Sequence, residues 1–552
     1  MERGGANIWC QDGIGNVQAP FARTLIELVR EQAQARPQAI ALICAQGHFS
    51  YADLADRAAK VAGALQACGV KCGDRVGLLL GNCVEWLDVC LGAGAVGATA
   101  VPLSTWSTRS ELAFLLPDAT LSVLVASRRF GDHDFAASLT ALQGTPGVPV
   151  ADRIWLLGSG ETSLSCYDKV IENAPRLKPL RPGQAASAGD DALILYTSGS
   201  TSAPKAVPLR HFAVIENAFN IGERQGLTSE DRVLLSSPLF WAFGSANALP
   251  ATFSHGATLV LMEKFDAALA LQMIAREQCT AIYTLPAMSA AMAYHPSYEK
   301  QKLASLRTGV TIGSPEEFLF AVDKLGITEL CNIYGATETC GNCAVTWHHW
   351  SLQRRAYCQG PPLPGQELRF VDEATGAAVP NGTPGLAEVR GYTTLGYSGA
   401  SAAQNSKSFT ADGYYRTGDM GLLNAEGDFV FVGRVSEMIK RAGINVSPAE
   451  VEAVLRRHPS VKDAAVVGVP DAARGERIFA YVVPANTSAI AEFDVAALMR
   501  HCATESSKYK MPDHIEACTG LPLTVTGKLQ RNELKQLAMK RALALATAAL
   551  AT

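Results

Sequence analysis

Residues 193–209 read LILYTSGSTSAPKAVPL. An apolar strand beginning at Leu193 runs into hydroxyl residues around Gly199, then Pro204-Lys205, with a helix from about His211. Small hydroxyl side chains and exposed backbone N–H groups wrap an anion, while a lysine neutralises its charge. Thr197, Ser198, Gly199, Ser200, Thr201 and Lys205 therefore form a candidate phosphate cradle. It is not the loop of P-loop NTPases, because the Gly-Lys-Ser/Thr ending is missing. The bland reading is a Ser/Thr-rich surface loop.

On the N-terminal side, Leu25, Leu28 and Val29 mark one helix and Leu54, Ala58, Val61 and Leu65 another, with IALIC (40–44) a buried strand between them. DRVGLLLG (74–81) reads as strand, EWLDVCLGAGAVG (85–97) as helix and ATAVPL (98–103) as strand. This βαβ rhythm predicts mostly parallel sheets covered by helices. Residues 141–190, richer in Gly, Pro and Ser, read as surface connections. Beyond residue 433 the pattern turns to short α and β units, SPAEVEAVLRRHP (447–459), VKDAAVVGVP (461–470) and RIFAYVVP (477–484), as in a compact α+β lobe.

The 552 residues carry 48 basic and 52 acidic side chains with no long run of either sign, which leaves no electrostatic footprint for nucleic acid or an anionic membrane. A hydrophobic share of 48% against 18% charged residues rules out wholesale disorder. The opening MERGGANIWCQDG lacks the apolar core of a signal peptide, and the 14 cysteines are scattered, so a disulfide framework is not expected. No segment offers about 18 uninterrupted apolar residues, and RALALATAALAT (541–552) reads as a frayed helix. The expectation is a cytoplasmic protein with reduced thiols.

Four further segments follow in order: YGATETCG (334–341), YYRTGDMG (414–421), VGRVSEMIKRAGINVSPAEVE (432–452) and LPLTVTGKLQRNELK (521–535). With the cradle, their order and spacing resemble the adenylate-forming superfamily, which includes acyl- and aryl-CoA synthetases, over about Thr24 to Arg531. The resemblance implies an α/β fold: a large N-terminal domain of βαβ sheets with a small distorted β-barrel (1–433) and a mobile C-terminal α+β lobe (434–552). It also implies the chemistry. A carboxylate attacks the α-phosphate of ATP, giving an acyl adenylate and pyrophosphate, and the thiol of coenzyme A then displaces AMP. Charge neutralisation along the phosphates, a divalent metal and a cation at the developing charge serve the first step.

By resemblance, Thr197 to Lys205 hold the triphosphate, Glu338 binds Mg²⁺, and Thr337 lies beside the α-phosphate. Gly313, Ser314 and Pro315 flank the adenine, Tyr334 stacks on it, and Asp419 accepts the ribose hydroxyls with Arg434 nearby. Lys528 bridges carboxylate and α-phosphate during adenylation. The terminal lobe then turns about Ser436, where Asp or Lys is commoner, and brings Met438–Gly443 to the site. Gly443, with Ala442 in place of a second glycine, lines the pantetheine tunnel, and Lys440, Lys508, Lys510 and Arg474 are candidates for the CoA phosphate. Trp241 stands where many CoA ligases have a tunnel-gating histidine.

Phe243-Gly244 falls where amino-acid-activating relatives carry Phe-Asp, so no charge partner is offered to a substrate ammonium. Gly244, Ser245, Ala246, Gly313 and Gly341 leave room for a bulky, mostly apolar acid, with Asn247 or Asn342 as a single polar contact. The alternative for these glycines is ordinary turn chemistry. Cys340, Cys343, His348 and His349 suggest a zinc site, but the second Cys-x-x-Cys is absent. The cysteines are read instead as small core or pocket residues.

The cradle departs from the family pattern Thr-Ser-Gly-Ser/Thr-Thr-Gly-x-Pro-Lys-Gly at Ser202 and Ala206. In one reading a Cβ at either position narrows the cradle or stiffens it away from the triphosphate; in the other, which is favoured, the loop tolerates both substitutions. The expected activity is ligation of a bulky cyclic or aryl acid to coenzyme A. The alternatives are thioester formation only, from an acyl adenylate made by a separate enzyme, and a stand-alone adenylating enzyme loading a carrier protein.

Overall fold

The computed structural model describes residues 24–160, 162–178, 185–197, 204–441, 444–471, 475–506, 510–523 and 529–550. The chain divides into two compact units: Met1–Leu368 with Glu388–Arg416 and Gly427–Phe429, and Arg369–Ala387 with Thr417–Glu426 and Val430–Thr552.

Two sheets organise the first unit. One has eight strands in the order 344–345, 329–334, 308–311, 281–283, 232–235, 258–261, 40–44 and 47–50. Its inner pairings are parallel and both edges are antiparallel. The other has seven strands in the order 205–210, 191–197, 99–102, 75–79, 123–127, 154–157 and 165–166. It too is parallel except at the edge, where Asp191–Thr197 pairs antiparallel with Lys205–Arg210. The βαβ rhythm foretold this arrangement, since parallel strands need helical crossovers that bury both faces. The reading of residues 141–190 as surface connections is corrected: Ile154–Leu157 is a strand of the sheet, with Ile154 and Trp155 fully buried. Its Pro- and Gly-rich flanks hid an apolar run of only four residues.

Helices start where hydroxyl caps say they should. Thr24, Ser50, Thr108 and Ser314 each form a reciprocal capping box with the acid three residues on. The buried helix Val84–Ala95 packs on Tyr51–Ala67, and a Cβ at Gly92 would stand 2.8 Å from Val61 Cβ. Only glycine permits that approach.

In the second unit the strands Val461–Asp471 and Gly475–Pro484 pair antiparallel, with Ile439–Arg441, Ile444–Val446 and His514–Ala517 completing the sheet. Val451 and Leu455 of the helix Pro448–Arg456 cover one face, together with Leu498. Leu534 and Ala538 of the helix Arg531–Leu550 cover the other. Arg531 ties that helix down through Glu452 at 2.7 Å and Glu437 at 2.9 Å. No helix among the described residues is long and apolar enough to cross a membrane.

Candidate active site

The expected phosphate side of the first unit is built on the edge hairpin. Thr197 ends one strand and Lys205 opens the next, paired with each other across the hairpin. Ser198, Gly199, Ser200, Thr201 and Ser202 lie outside the described residues. Lys205 Nζ stands 4.8 Å from the centroid of the Tyr397 ring and 3.5 Å from its hydroxyl. That hydroxyl donates to Glu338 Oε1 at 2.8 Å. Glu338 is itself buried on the short 3₁₀ turn Thr337–Thr339, which places the half-exposed Thr337 beside it. Burial, then the charge of Glu338, pushes the Tyr397 hydroxyl well above the usual tyrosine range, so it stays a donor. Burial and the same carboxylate raise Tyr415. Lys205 and Glu338 were expected to share a task, and one buried tyrosine links them.

The donor set fits Mg²⁺ as an ATP companion. Magnesium keeps several waters and is held by one or two carboxylates plus substrate phosphates. Glu338 is such a carboxylate, and among the described residues no group of three or more His, Cys, Asp or Glu forms a protein-only cage. Cys340 and Cys343 are fully buried, and burial pushes the Cys340 thiol up to about 12. His348 instead stands 3.2 Å from Glu329.

Ala206 stands where the family pattern has glycine. Ala206 is a strand residue opposite Tyr196, outside the positive-φ positions, and its side chain is part of a buried core cluster with Ile194 and Leu116. Its N–H donates to Ser401 Oγ at 3.1 Å. The Cβ fills core and needs no glycine conformation.

Gly313, at φ +142°, leads into Ser314, whose side chain caps the helix Pro315–Leu325. The Tyr334 ring is buried 4.3 Å from Phe429, centroid to centroid. The stretch expected to line the acyl pocket follows three residues after Glu338. Cys340 at φ +53° and Gly341 at φ +95° make a sharp turn. Asn217 Nδ2 pins it by donating to the carbonyls of Cys340, at 3.1 Å, and Asn342, at 2.8 Å. Strained backbone held so firmly is a mark of functional sites. Facing it is a π-helical turn, Phe243–Ala248, which carries Ser245 and the fully buried Asn247; a Cβ on Gly341 would come 3.3 Å from Asn247 Cβ. Phe243 lies 5.2 Å from the Tyr283 ring. Trp241 meets Trp106 edge to face at 5.2 Å, with Phe240 6.0 Å away.

Gly244 is corrected from a pocket-opening residue to a packing one. A Cβ there would meet the Pro238 carbonyl oxygen at 2.9 Å and Leu239 Cα at 3.2 Å. The space is already filled by backbone.

In the second unit Thr417 Oγ1 donates to the Ala387 carbonyl and accepts from the Asp419 N–H. With Gly418 at φ +75°, this kink sets the buried Asp419 3.3 Å from Arg434 Nε. The expected ribose pair is thus brought together. Lys440 stands 3.8 Å from Glu373 and Lys510 2.7 Å from Glu450, each beside an acid. Lys528, Gly443, Ala442, Lys508 and Arg474 lie outside the described residues, as does the Ser436 side chain.

Sequence reasoning missed Tyr397, Tyr415, Tyr283 and Asn217. The one signal for Tyr397 was an aromatic flanked by glycines in GYTTLGYSG (391–399).

The AMP-binding enzyme family matches residues 29–397, and the AMP-binding enzyme C-terminal domain matches 450–528. An indoleacetate–CoA ligase of Aromatoleum aromaticum is 32% identical over 94% of this chain and 98% of its own. Acyl-CoA ligase sidI of Aspergillus fumigatus is 31% identical over 89% and 86%. Among solved structures, the anthranilate CoA ligase AuaEII in complex with anthranoyl-AMP superposes with a TM-score of 0.84 at 27% identity, covering 95% of this chain and 99% of that one.

Proposed function

The chain belongs to the AMP-binding enzyme family, among its acyl-CoA ligases, and on that premise we propose that it joins a bulky, mostly apolar cyclic or aryl acid to coenzyme A through an acyl adenylate. The observation that carries the reading is the Lys205–Tyr397–Glu338 cluster, a cation and a carboxylate oriented from one buried hydroxyl.

In the first half-reaction Lys205 offsets charge on the triphosphate. Glu338 would hold Mg²⁺, which supplies charge neutralisation at the phosphates when bound. Thr337, half-exposed beside Glu338, donates to the α-phosphate. Tyr397 fixes the Glu338 carboxylate before substrate arrives, so little reorganisation is needed as charge moves onto the leaving pyrophosphate. Lys528 brings a cation to the acid carboxylate and the α-phosphate. Asp419, with Arg434 beside it, accepts the two ribose hydroxyls, and Gly313–Pro315 and Tyr334 border the base. In the second half-reaction the thiolate of CoA attacks the acyl carbonyl, the C–O bond to AMP breaks, and AMP leaves with the electron pair. Trp241 walls the thiol's approach, and the Ser436 hinge with Gly443, Lys440 and Lys508 serves this step.

The acid class rests on Phe243 and Tyr283, on the absence of a carboxylate beside Phe243, and on the aromatic acids named for the relatives. The test is a panel of indole, benzoic, phenylacetic and alicyclic acids assayed for AMP release that depends on both ATP and CoA. Turnover of aromatic or alicyclic acids above straight-chain acids of equal carbon number is expected. A preference for short aliphatic diacids or α-amino acids would overturn the reading.

A further inference from the structure

Asn247 is fully buried on the π-helical turn, and its Nδ2 has no partner among the described residues. Which end of the amide faces the acyl side follows from its neighbours. The Ile221 carbonyl can only accept, and it takes a hydrogen bond at 3.1 Å from the Gln225 side chain, so that amide must present its nitrogen. Gln225 Nε2 also donates to the Tyr283 hydroxyl at 2.9 Å. The Tyr283 proton is therefore directed to Asn247 Oδ1, 3.0 Å away. With Oδ1 taken, Asn247 offers only N–H outward. An atom at the Cβ position that Gly341 lacks would stand 3.7 Å from this nitrogen. That is van der Waals contact rather than a hydrogen bond, so an acceptor beside Gly341 must approach nearer than this.

An unpaired buried donor is destabilising, and its cost is offset when a ligand brings the matching acceptor. Burying polar groups in this way rejects a ligand that lacks the acceptor far more strongly than a missing methylene does. Phe243 and Tyr283, whose rings lie 5.2 Å apart, supply aromatic surface beside this amide.

We infer that Asn247 is a specificity-determining residue, and that the preferred acid carries a hydrogen-bond acceptor, a keto, ether or hydroxyl oxygen, at the far end of its ring system. Tyr283 and Gln225 are positioning residues that lock the amide with its donor outward. The inference rests on the ligase reading above.

The experiment compares near-isosteric acid pairs that differ only in that oxygen: 4-acetylbenzoate with 4-isopropylbenzoate, 4-oxocyclohexanecarboxylate with 4-methylcyclohexanecarboxylate, and the same pairs extended by one methylene. The readout is the ratio of kcat/KM within each pair. The wild type is expected to favour the oxygenated member of at least one pair by about tenfold or more. N247L is expected to erase or reverse that ratio, and Y283F, which leaves the amide free to turn over, to reduce it. Equal ratios in wild type and N247L, or a wild-type preference for the hydrocarbon member of every pair, would overturn the inference while leaving the ligase reading intact. Turnover of no acid in the panel would overturn both. Should N247L fail to fold, Y283F and N247D serve alone: the N247D carboxylate repels a keto oxygen and must lower the ratio.

Discussion

The Tyr397 hydroxyl donates to Glu338 at 2.8 Å while its ring carries the Lys205 ammonium 4.8 Å from the centroid. One side chain thus sets both the carboxylate and the cation expected to meet the phosphates. Replacing Tyr397 by Phe keeps the ring under Lys205 but removes its hydrogen bond to Glu338, leaving that carboxylate to Tyr415. Acid-dependent pyrophosphate exchange should fall about tenfold, the scale of one hydrogen bond to a charged group. Thioester formation from a synthetic acyl adenylate should stay within about twofold, because that step has no β- or γ-phosphate to hold. Equal loss in both assays would mean a merely structural role.

Asp419 and Arg434, 3.3 Å apart, are assigned to the ribose. Asp419→Ala should weaken AMP binding at least about tenfold, from loss of two charge-assisted hydrogen bonds. Calorimetry with AMP checks this, and unchanged affinity would refute the assignment.

Gly244 packs against the Pro238 carbonyl, with a Cβ there only 2.9 Å away. Gly244→Ala should therefore destabilise the protein by about 1–3 kcal/mol through overpacking, seen in urea titration. Gly244→Asp should not confer turnover of phenylalanine. A stable Gly244→Asp protein that activates phenylalanine would restore the view of Gly244 as an open pocket position.

His211 is buried, its Nδ1 accepting from the Leu25 N–H at 3.2 Å, and burial pushes it down to about 4. Asp190 and Glu27 act weakly in the opposite direction. Because the folded value lies below the ordinary histidine value of 6.5, the unfolded chain binds the extra proton first. The stability held by neutral His211 is complete above pH 6.5 and is lost as pH falls toward 4, by up to about 3 kcal/mol. His211→Asn keeps an acceptor for Leu25 and removes the titration. Its stability relative to wild type should rise between pH 7 and pH 5 in urea melts. A pH-independent difference would contradict the account.

The parallel sheets and the order of the site segments were legible in the sequence because both lie in local patterns: apolar runs and motif spacing. Leu25, Leu28 and Val29, then Leu54, Ala58, Val61 and Leu65, marked their helices in this way. What local pattern does not carry is which side of a residue faces core. Ala206 and Gly244 read as cradle and pocket positions, yet one Cβ lies in the core and the other would strike backbone. The Ile154–Leu157 strand was hidden by its flanks. Tyr397 reaches Glu338 from 59 positions along the chain, a pairing that only tertiary packing creates.

The central claim is that one chain performs both half-reactions. The direct measurement follows pyrophosphate, AMP and acyl-CoA together, with the best acid of the panel, ATP and CoA, beside a parallel run from synthetic acyl adenylate and CoA. The account expects pyrophosphate, AMP and thioester in equal amounts from ATP, at a rate that Ser202→Gly and Ala206→Gly do not raise greatly. Thioester from the supplied adenylate without pyrophosphate release from ATP by any acid, and a large gain on restoring the glycines, would contradict it.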